Sequence, residues 1–223
     1  MTYTFQFGIV FDKLDLLLEG AWLTIRLAFL AMIVGLMVAV VCAYLRTAGS
    51  RPVRALVVTY VETVRNTPFL VQLYIIFFAL PATGIRLDAN EAALAAMVIN
   101  FGAYATEIVR AGVQSVPVGQ IEVGLALGLK RLQIYRLIVL FPAFKAVFPA
   151  LASQFVLLLL GSSVVSAISA NELTAIANTL QSTTFRSFEV YIVVTLMYLV
   201  IAVGFRGLFA FTYWHVFVRG RGR

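Results

Sequence analysis

The stretch GQIEVGLALGLKRLQIYRLIVLFP, residues Gly119–Pro142, places four charged side chains in an otherwise mostly apolar chain. Pro117 begins a new element after a turn, and Gly128 suits the left-handed position that ends a short helix of about two turns. A second helix is predicted from about Lys130 to Leu140, before Pro142. The stretch therefore predicts a charged helical hairpin, which needs an explanation in this apolar context.

The rest of the chain is too apolar for a soluble domain. Of its 223 residues, 62% are hydrophobic and 12% are charged, and the mean hydropathy is +0.98. Soluble domains carry about 25% charged residues, so we predict an integral membrane protein. The single cysteine, Cys42, cannot form an internal disulfide, and we expect no cleaved signal peptide at the N-terminus.

Five apolar stretches are each long enough for a transmembrane helix, which needs about 20 residues. They are continuous and lack the alternation of barrel strands, so they are expected to be helices. We predict an all-α membrane protein with five transmembrane helices and a single domain over residues 1–223. The approximate bounds of the spans are Gly20–Leu45, Asn66–Ile85, Ala89–Val109, Ala146–Ala170, and Phe188 to beyond Phe205.

Lysine and arginine are unevenly distributed between the ends of these spans. By the positive-inside rule, the N-terminus is expected outside and the C-terminus in the cytoplasm, so the hairpin is cytoplasmic. This orientation explains the net charge of +7 without a nucleic-acid partner. The basic residues expected on the cytoplasmic side are Arg46, Arg51, Arg54, Arg65, Arg110, Lys130, Arg131, Arg136, Lys145, Arg219, Arg221 and Arg223.

From the residues alone, two roles are open for the hairpin. It would lie on the inner leaflet with its arginine and lysine side chains on lipid headgroups, or it would dock on a cytoplasmic partner protein. The first role belongs to a stand-alone channel or a membrane scaffold. The second role belongs to a membrane protein whose function depends on the activity of a partner protein.

The hairpin resembles the cytoplasmic EAA loop of ABC importer permeases. Two departures from that pattern are visible: Val123 and Gly124 stand where the family usually has two alanines, and the proline comes one residue late. The matching residues are Glu122, Gly124, Gly128, Ile138, Leu140 and Pro142.

Three further blocks resemble one branch of these permeases, which transports polar amino acids and opines. RNTPFLVQLYIIFFALP, Arg65–Pro81, is similar to the second-span block of that branch. GAYATEIVRAGVQSVPVGQ, Gly102–Gln120, is similar to its third-span block, and NELTAIANTLQSTTFRSFEVY, Asn171–Tyr191, to its last outer loop. The resemblance covers about residues 16–218, and another small solute remains the alternative cargo.

The resemblance implies the type I ABC importer permease fold in a bacterial inner membrane. Two permease chains, identical or similar, would form a path with alternating access. A binding protein outside would deliver the solute, and cytoplasmic ABC ATPase subunits would bind ATP and Mg. Because no lysine here follows a glycine, the phosphate-binding loop G-x-x-x-x-G-K-[ST] is missing. We therefore predict neither enzyme activity nor a cofactor or metal site in this chain.

The resemblance assigns docking on the ATPase to the loop at about residues 113–145. Gly128 would give the turn and Glu122 a polar anchor, while the small residues would allow a close fit. Glu107 and Arg110, three residues apart, would brace this loop or form only an ion pair within their helix. The expected docking residues are Glu122, Gly124, Ala126, Gly128 and Lys130.

Polar side chains inside the spans are candidates for the solute path, because each costs free energy unless it faces protein or water. A serine taken alone often bonds only its own helix. Related permeases often carry a lysine and an acidic or amide residue just before the serine pair, where this chain has Leu160 and Gly161. The set that would line a site near the midplane is Asn100, Gln154, Ser162 and Ser163.

Overall fold

The computed structural model describes residues 3–219, which fold as ten α-helices with short 3-10 and π segments and without a strand among them. Arg221 and Arg223, counted above with the basic tail, lie outside the described residues. The predicted all-α class is thereby confirmed.

Four helical segments are long and apolar enough to cross a membrane. The third segment in chain order consists of α7 (Arg131–Ile134), a π segment, α8 (Leu140–Gly161) and a 3-10 segment (Ser162–Ile168). The fourth begins with α10 (Ser187–Tyr213). The four segments are α2 (Leu14–Ala48), α5 (Ala89–Gln114), Arg131–Ile168 and Ser187–Val218.

The second predicted span, about Asn66–Ile85, is not a straight helix and is not one of these four. Helix α3 (Arg51–Arg65) and the segment Phe69–Thr83, which starts with α4 (Phe69–Tyr74), meet at 111°, and only together are they long and apolar enough for a span. Pro68 has an extended backbone (ψ 138°) and cannot donate a backbone hydrogen bond. The Gln72 side chain donates at 2.7 Å to the carbonyl of Val64. The carbonyl of Val64, near the end of α3, is therefore hydrogen-bonded despite the break.

The shorter helices are α1 (Gly8–Phe11), α6 (Val118–Ala126) and α9 (Leu173–Thr184). α6 and α9 lie at opposite ends of the bundle, since α8 runs from one to the other. We call these the α6 end and the α9 end. At the α9 end, α9 packs on α2 and α10. At the α6 end, α6 packs on α7 and the following π segment.

Small residues bring the central helices together. α5 packs along α2 and α8, and a Cβ built at Gly35 on α2 would lie 2.8 Å from Phe101 Cδ1. A Cβ at Gly112 on α5 would overlap Val147 Cγ1 on α8. By contrast, a Cβ at Gly204 would meet no atom of the described chain within 4 Å. Close packing in this bundle therefore depends on particular glycines.

The hairpin differs from its prediction in one respect. Its second helix was expected to end near Leu140, but the helix continues without interruption from Arg131 to Ile168. Pro142 lies in the first turn of α8, directly after the π segment Tyr135–Val139. The wider π turn accommodates the missing proline N–H, so the helix does not end there. The second helix of the hairpin is therefore continuous with this span.

We predict that Gly112→Ala destabilises the protein by about 1–3 kcal/mol, because the new methyl group overpacks the contact between α5 and α8. The measurement is the apparent melting temperature of the purified protein in detergent. The control is Gly204→Ala, which adds the same methyl group in open space and should leave that temperature unchanged or slightly higher. Equal melting temperatures for the two variants would contradict this packing.

Candidate functional site

Helix α6 packs against its own hairpin partner. Gly124 is buried, and a Cβ built there would lie 2.7 Å from Ile138 Cδ1 and 3.1 Å from Ile134 Cγ1. The small residue at this position therefore lets α6 approach the α7 side of the hairpin. Its predicted contact with a partner protein stays a prediction.

The turn of the hairpin is a hydrogen-bonded C-cap. Gly128 has φ +74°, its N–H donates at 2.9 Å to the carbonyl of Leu125, and the N–H of Leu129 donates at 3.1 Å to that of Gly124. These two bonds form a Schellman motif, which needs a left-handed residue at the glycine position. The predicted left-handed cap at Gly128 is therefore confirmed.

Charged and apolar side chains share the exposed surface of the hairpin. Glu122, Ala126 and Lys130 are exposed, and Leu127 next to the turn is 73% exposed. A charged element at the end of a bundle rarely exposes so many large apolar groups unless another surface covers them. The exposed large apolar residues of the hairpin are Val118, Val123, Leu125, Leu127, Leu132, Tyr135 and Leu137.

Glu107 links two spans at the α6 end. Its Oε2 accepts from Arg110 at 2.7 and 3.1 Å, while its Oε1 forms a salt bridge with Arg46 near the end of α2. Arg110 also donates at 2.6 Å to Gln114. The predicted ion pair between Glu107 and Arg110 is therefore present, and Glu107 also pairs with Arg46 on α2. Arg46 was missed because sequence spacing shows pairs within a helix and not between helices.

The four predicted path residues have different surroundings. Asn100 donates at 3.0 Å to Gln72, the residue that caps the bent span. Ser162 is buried and donates to the carbonyl of Leu159. Ser163 likewise donates within its own helix, whereas Gln154 is half-buried on α8. Of these residues, Asn100 joins one helix to another, whereas the Ser162 bond stays within its own helical segment.

At the α9 end, Glu172 is fully buried and caps α9. Its Oε1 accepts from the N–H of Ala175 at 2.9 Å, and its Oε2 accepts from the Tyr198 hydroxyl at 2.7 Å. Thr24 on α2 lies 3.4 Å from the same Oε2 and accepts at 3.2 Å from the N–H of Leu173. Burial raises the pKa of Glu172 above its ordinary value, although these hydrogen bonds act in the opposite direction.

A second buried carboxylate fastens the N-terminal segment at this end. Glu189 accepts from the hydroxyl of Tyr3 and, at 2.9 Å, from the N–H of Gln6. Arg186 lies 3.6 Å from the same carboxylate and donates to the carbonyl of Thr4. The sequence did not reveal either acidic network, because both join residues far apart along the chain.

A profile of the family described as "Binding-protein-dependent transport system inner membrane component" matches residues 24–212. The probable glutamine ABC transporter permease protein GlnM of Bacillus subtilis (strain 168) is 34% identical over 196 residues, covering 88% of this chain and 91% of that protein. The nopaline transport system permease protein NocM of Agrobacterium fabrum (strain C58) is 32% identical over 203 residues, covering 86% and 84%. A solved structure, "Crystal structure of an amino acid ABC transporter with histidines", matches with TM-score 0.90 and 33% identity, covering 96% of this chain and 100% of that chain.

The chain therefore belongs to the family of inner membrane components of binding-protein-dependent transport systems. It has the type I ABC importer permease fold and is a permease subunit of such an importer in the inner membrane. Members of the family work with ATPase and substrate-binding subunits, and the ATPase resides in those partners. The family recognised from the hairpin is thereby confirmed.

The raised pKa of Glu172 predicts a pH-dependent stability. In the window between its ordinary value of about 4.5 and its raised value, the folded state binds more protons than the unfolded state. Stability should therefore fall as the pH rises through the raised value. The measurement is the apparent melting temperature in detergent between about pH 5 and pH 8.

Glu172→Gln should reduce this pH dependence, since the amide keeps an acceptor for the N–H of Ala175 and loses the titrating proton. Glu19→Gln is the control, because Glu19 is exposed at the same end of the bundle. If wild type and Glu172→Gln showed the same pH profile, Glu172 would not be the titrating group.

Proposed function

We propose that this chain forms half of the path of an importer for polar amino acids or opines, with its α6 end in the cytoplasm. The cargo is supported by the relatives, whose names specify glutamine and nopaline, and by the matched structure, whose title specifies an amino acid transporter. The path would open alternately to the two sides of the membrane as ATP drives the partner subunits.

The orientation is supported by the distribution of charge over the fold. The hairpin residues Lys130, Arg131 and Arg136 gather at the α6 end together with Arg46 and Arg110. At the α9 end, Arg186 is paired with Glu189. Under the positive-inside rule this asymmetry supports an orientation with the N-terminus outside and the C-terminus in the cytoplasm.

The hairpin is the proposed binding site for the ATPase subunit. The main observation in support is its exposed apolar surface. Glu122 would anchor it, with Ala126 and Lys130 beside it. Gly124 and Gly128 would act through the shape of the hairpin. The pair of Glu107 and Arg110 would brace the dock indirectly, by fixing the ends of α2 and α5 beneath it.

A second permease chain, identical or similar, is the proposed partner inside the membrane. The helix α10 belongs to the least buried of the four long spans and exposes large apolar residues along its length, such as Leu199 and Val203. Gln154 and Ser163, both half-buried, are the predicted path residues that would be accessible to the solute. Asn100 and Ser162 would support the path from behind.

We predict that Gly128→Pro abolishes copurification of the ATPase subunit while the chain still inserts into the membrane. Proline cannot adopt φ +74° and cannot donate to Leu125. The tagged chain is coexpressed with ATPase subunits from the same genome, and the retained subunit is quantified. The control is Gly119→Ala, since Gly119 also lies in open space but has no positive φ. Retention by Gly128→Pro would favour the alternative, a channel or scaffold whose hairpin binds lipid.

We also predict ATP-dependent uptake of a polar amino acid by the complete complex. The complex, with its ATPase subunits and its external binding protein, is reconstituted into vesicles and supplied with radiolabelled glutamine, arginine, histidine and an opine. Uptake should require both ATP and the binding protein. Uptake of another small solute alone would overturn the proposed cargo, and flux without ATP would favour a channel.

A further inference from the structure

The helix α10 carries one arginine within its apolar length. Arg206 is exposed and lies about eight residues, or about 12 Å along the helix axis, before Trp214. Trp214 stacks with Arg219 at 5.8 Å, as expected of residues at a membrane interface. Arg206 thus lies about 12 Å from this aromatic residue, towards the α9 end of the helix.

Arg206 borders a cavity between α8 and α10. The cavity has a volume of about 670 Å³, and Arg206 is the only charged side chain among the described residues that line it. Ser153 is also in the lining, but its hydroxyl donates to the carbonyl of Pro149 at 3.0 Å. The remaining lining is mostly apolar and aromatic, with Phe148, Phe209 and Tyr213.

No carboxylate within residues 3–219 forms a salt bridge with Arg206. The acidic partners in the salt bridges of these residues are Glu107 and Glu189, which lie at the two opposite ends of the bundle. A charged side chain at the centre of a membrane helix costs about 2.5–3.5 kcal/mol unless it faces protein or a water-filled cavity. Within the described residues, Arg206 therefore has no carboxylate partner.

The depth of Arg206 argues against a lipid phosphate as this counter-charge. On α8, the ring of Phe155 packs on Phe205 and Phe209, which sets the level of Arg206. Lys145 on α8 lies about ten residues, or about 15 Å, from Phe155 towards the α6 end. A headgroup phosphate would remain at the level of Lys145, since moving it to Arg206 would bury its charge in hydrocarbon.

We propose that Arg206 binds the carboxylate of the transported solute in this cavity. The inference rests on the proposed cargo, because every polar amino acid and opine carries at least one carboxylate. A guanidinium can hold a carboxylate through two parallel hydrogen bonds. The aromatic wall of Phe148, Phe209 and Tyr213 would cover the rest of the solute, and Gln154 follows Ser153 directly on α8. Arg206 is thereby assigned a specificity-determining role.

The first arm of the test asks whether position 206 faces water. Arg206→Cys is made in a Cys42→Ser background, which contains no other cysteine, and the assembled complex in vesicles is treated with a charged methanethiosulfonate. The control is Leu208→Cys in the same background, since Leu208 is 54% exposed but lies outside the cavity lining. The thiol of the Arg206→Cys variant should react at least about tenfold faster than that of the Leu208→Cys variant. Equal rates would overturn the proposal whatever the cargo.

The second arm measures transport. Uptake by Arg206→Gln should fall by about ten- to a hundredfold, as expected for the loss of a charge-assisted hydrogen bond. Arg206→Lys, which keeps the charge but not the paired donors, should recover part of it, and Arg219→Gln, which removes a charge just after the same span, should transport like wild type. ATP hydrolysis stimulated by the loaded binding protein should persist in Arg206→Gln, which shows that the complex is assembled.

The third arm separates solute from lipid. The ratio of wild-type to Arg206→Gln uptake should be the same in vesicles of zwitterionic lipid alone and in vesicles that also contain anionic lipid. A ratio near one in the zwitterionic vesicles would assign Arg206 to lipid and overturn the proposal. If wild type transports no amino acid, the proposed cargo fails. If wild type transports and Arg206→Gln matches it, only the role of Arg206 fails.

Discussion

Every backbone N–H and C=O group in the hydrocarbon region must find a partner within the protein, and this constraint governs where the chain can bend. At Pro68 the helix breaks by 111°, and the side chain of Gln72 donates to the carbonyls of Val64 and Thr67 across the break. Asn100 then joins Gln72 to α5. The pair of Gln72 and Asn100 is thus explained by the need to hydrogen-bond the backbone carbonyls at the break.

The same constraint shapes the two ends of the bundle, where helices stop and their last groups need caps. At the α9 end the carboxylate of Glu172 caps α9 and also contacts Tyr198 on α10. At the α6 end Gly128 completes the Schellman motif that closes α6. The first cap joins α9 to α10, while the second ends α6, whose large apolar side chains are exposed. The capped α9 end is thus tied to the spans, and the α6 end is the one proposed to contact a partner.

The amino-acid sequence predicts those features whose causes are local. Apolar runs located the spans, and Gly128 was recognised because a left-handed cap depends on a single residue. The links that close the fold could not be predicted in this way. Thr24 and Glu172 are 148 residues apart, and Arg46 meets Glu107 only because α2 and α5 pack together. The continuation of the hairpin into α8 was missed because a π segment before Pro142 has no simple sequence pattern.

Two charged residues of α10, Glu189 and Arg206, have opposite surroundings. Glu189, in the first turn of α10, is buried with several donors around it, so its charge is satisfied inside the chain and serves the fold. Arg206, on the same helix, has an exposed side chain beside an apolar cavity and no carboxylate partner among the described residues. A satisfied charge fixes a structure, whereas an unsatisfied one favours any anion that can reach it. Polar amino acids and opines carry a carboxylate, and this is the anionic group that Arg206 is proposed to bind as the solute passes along α10.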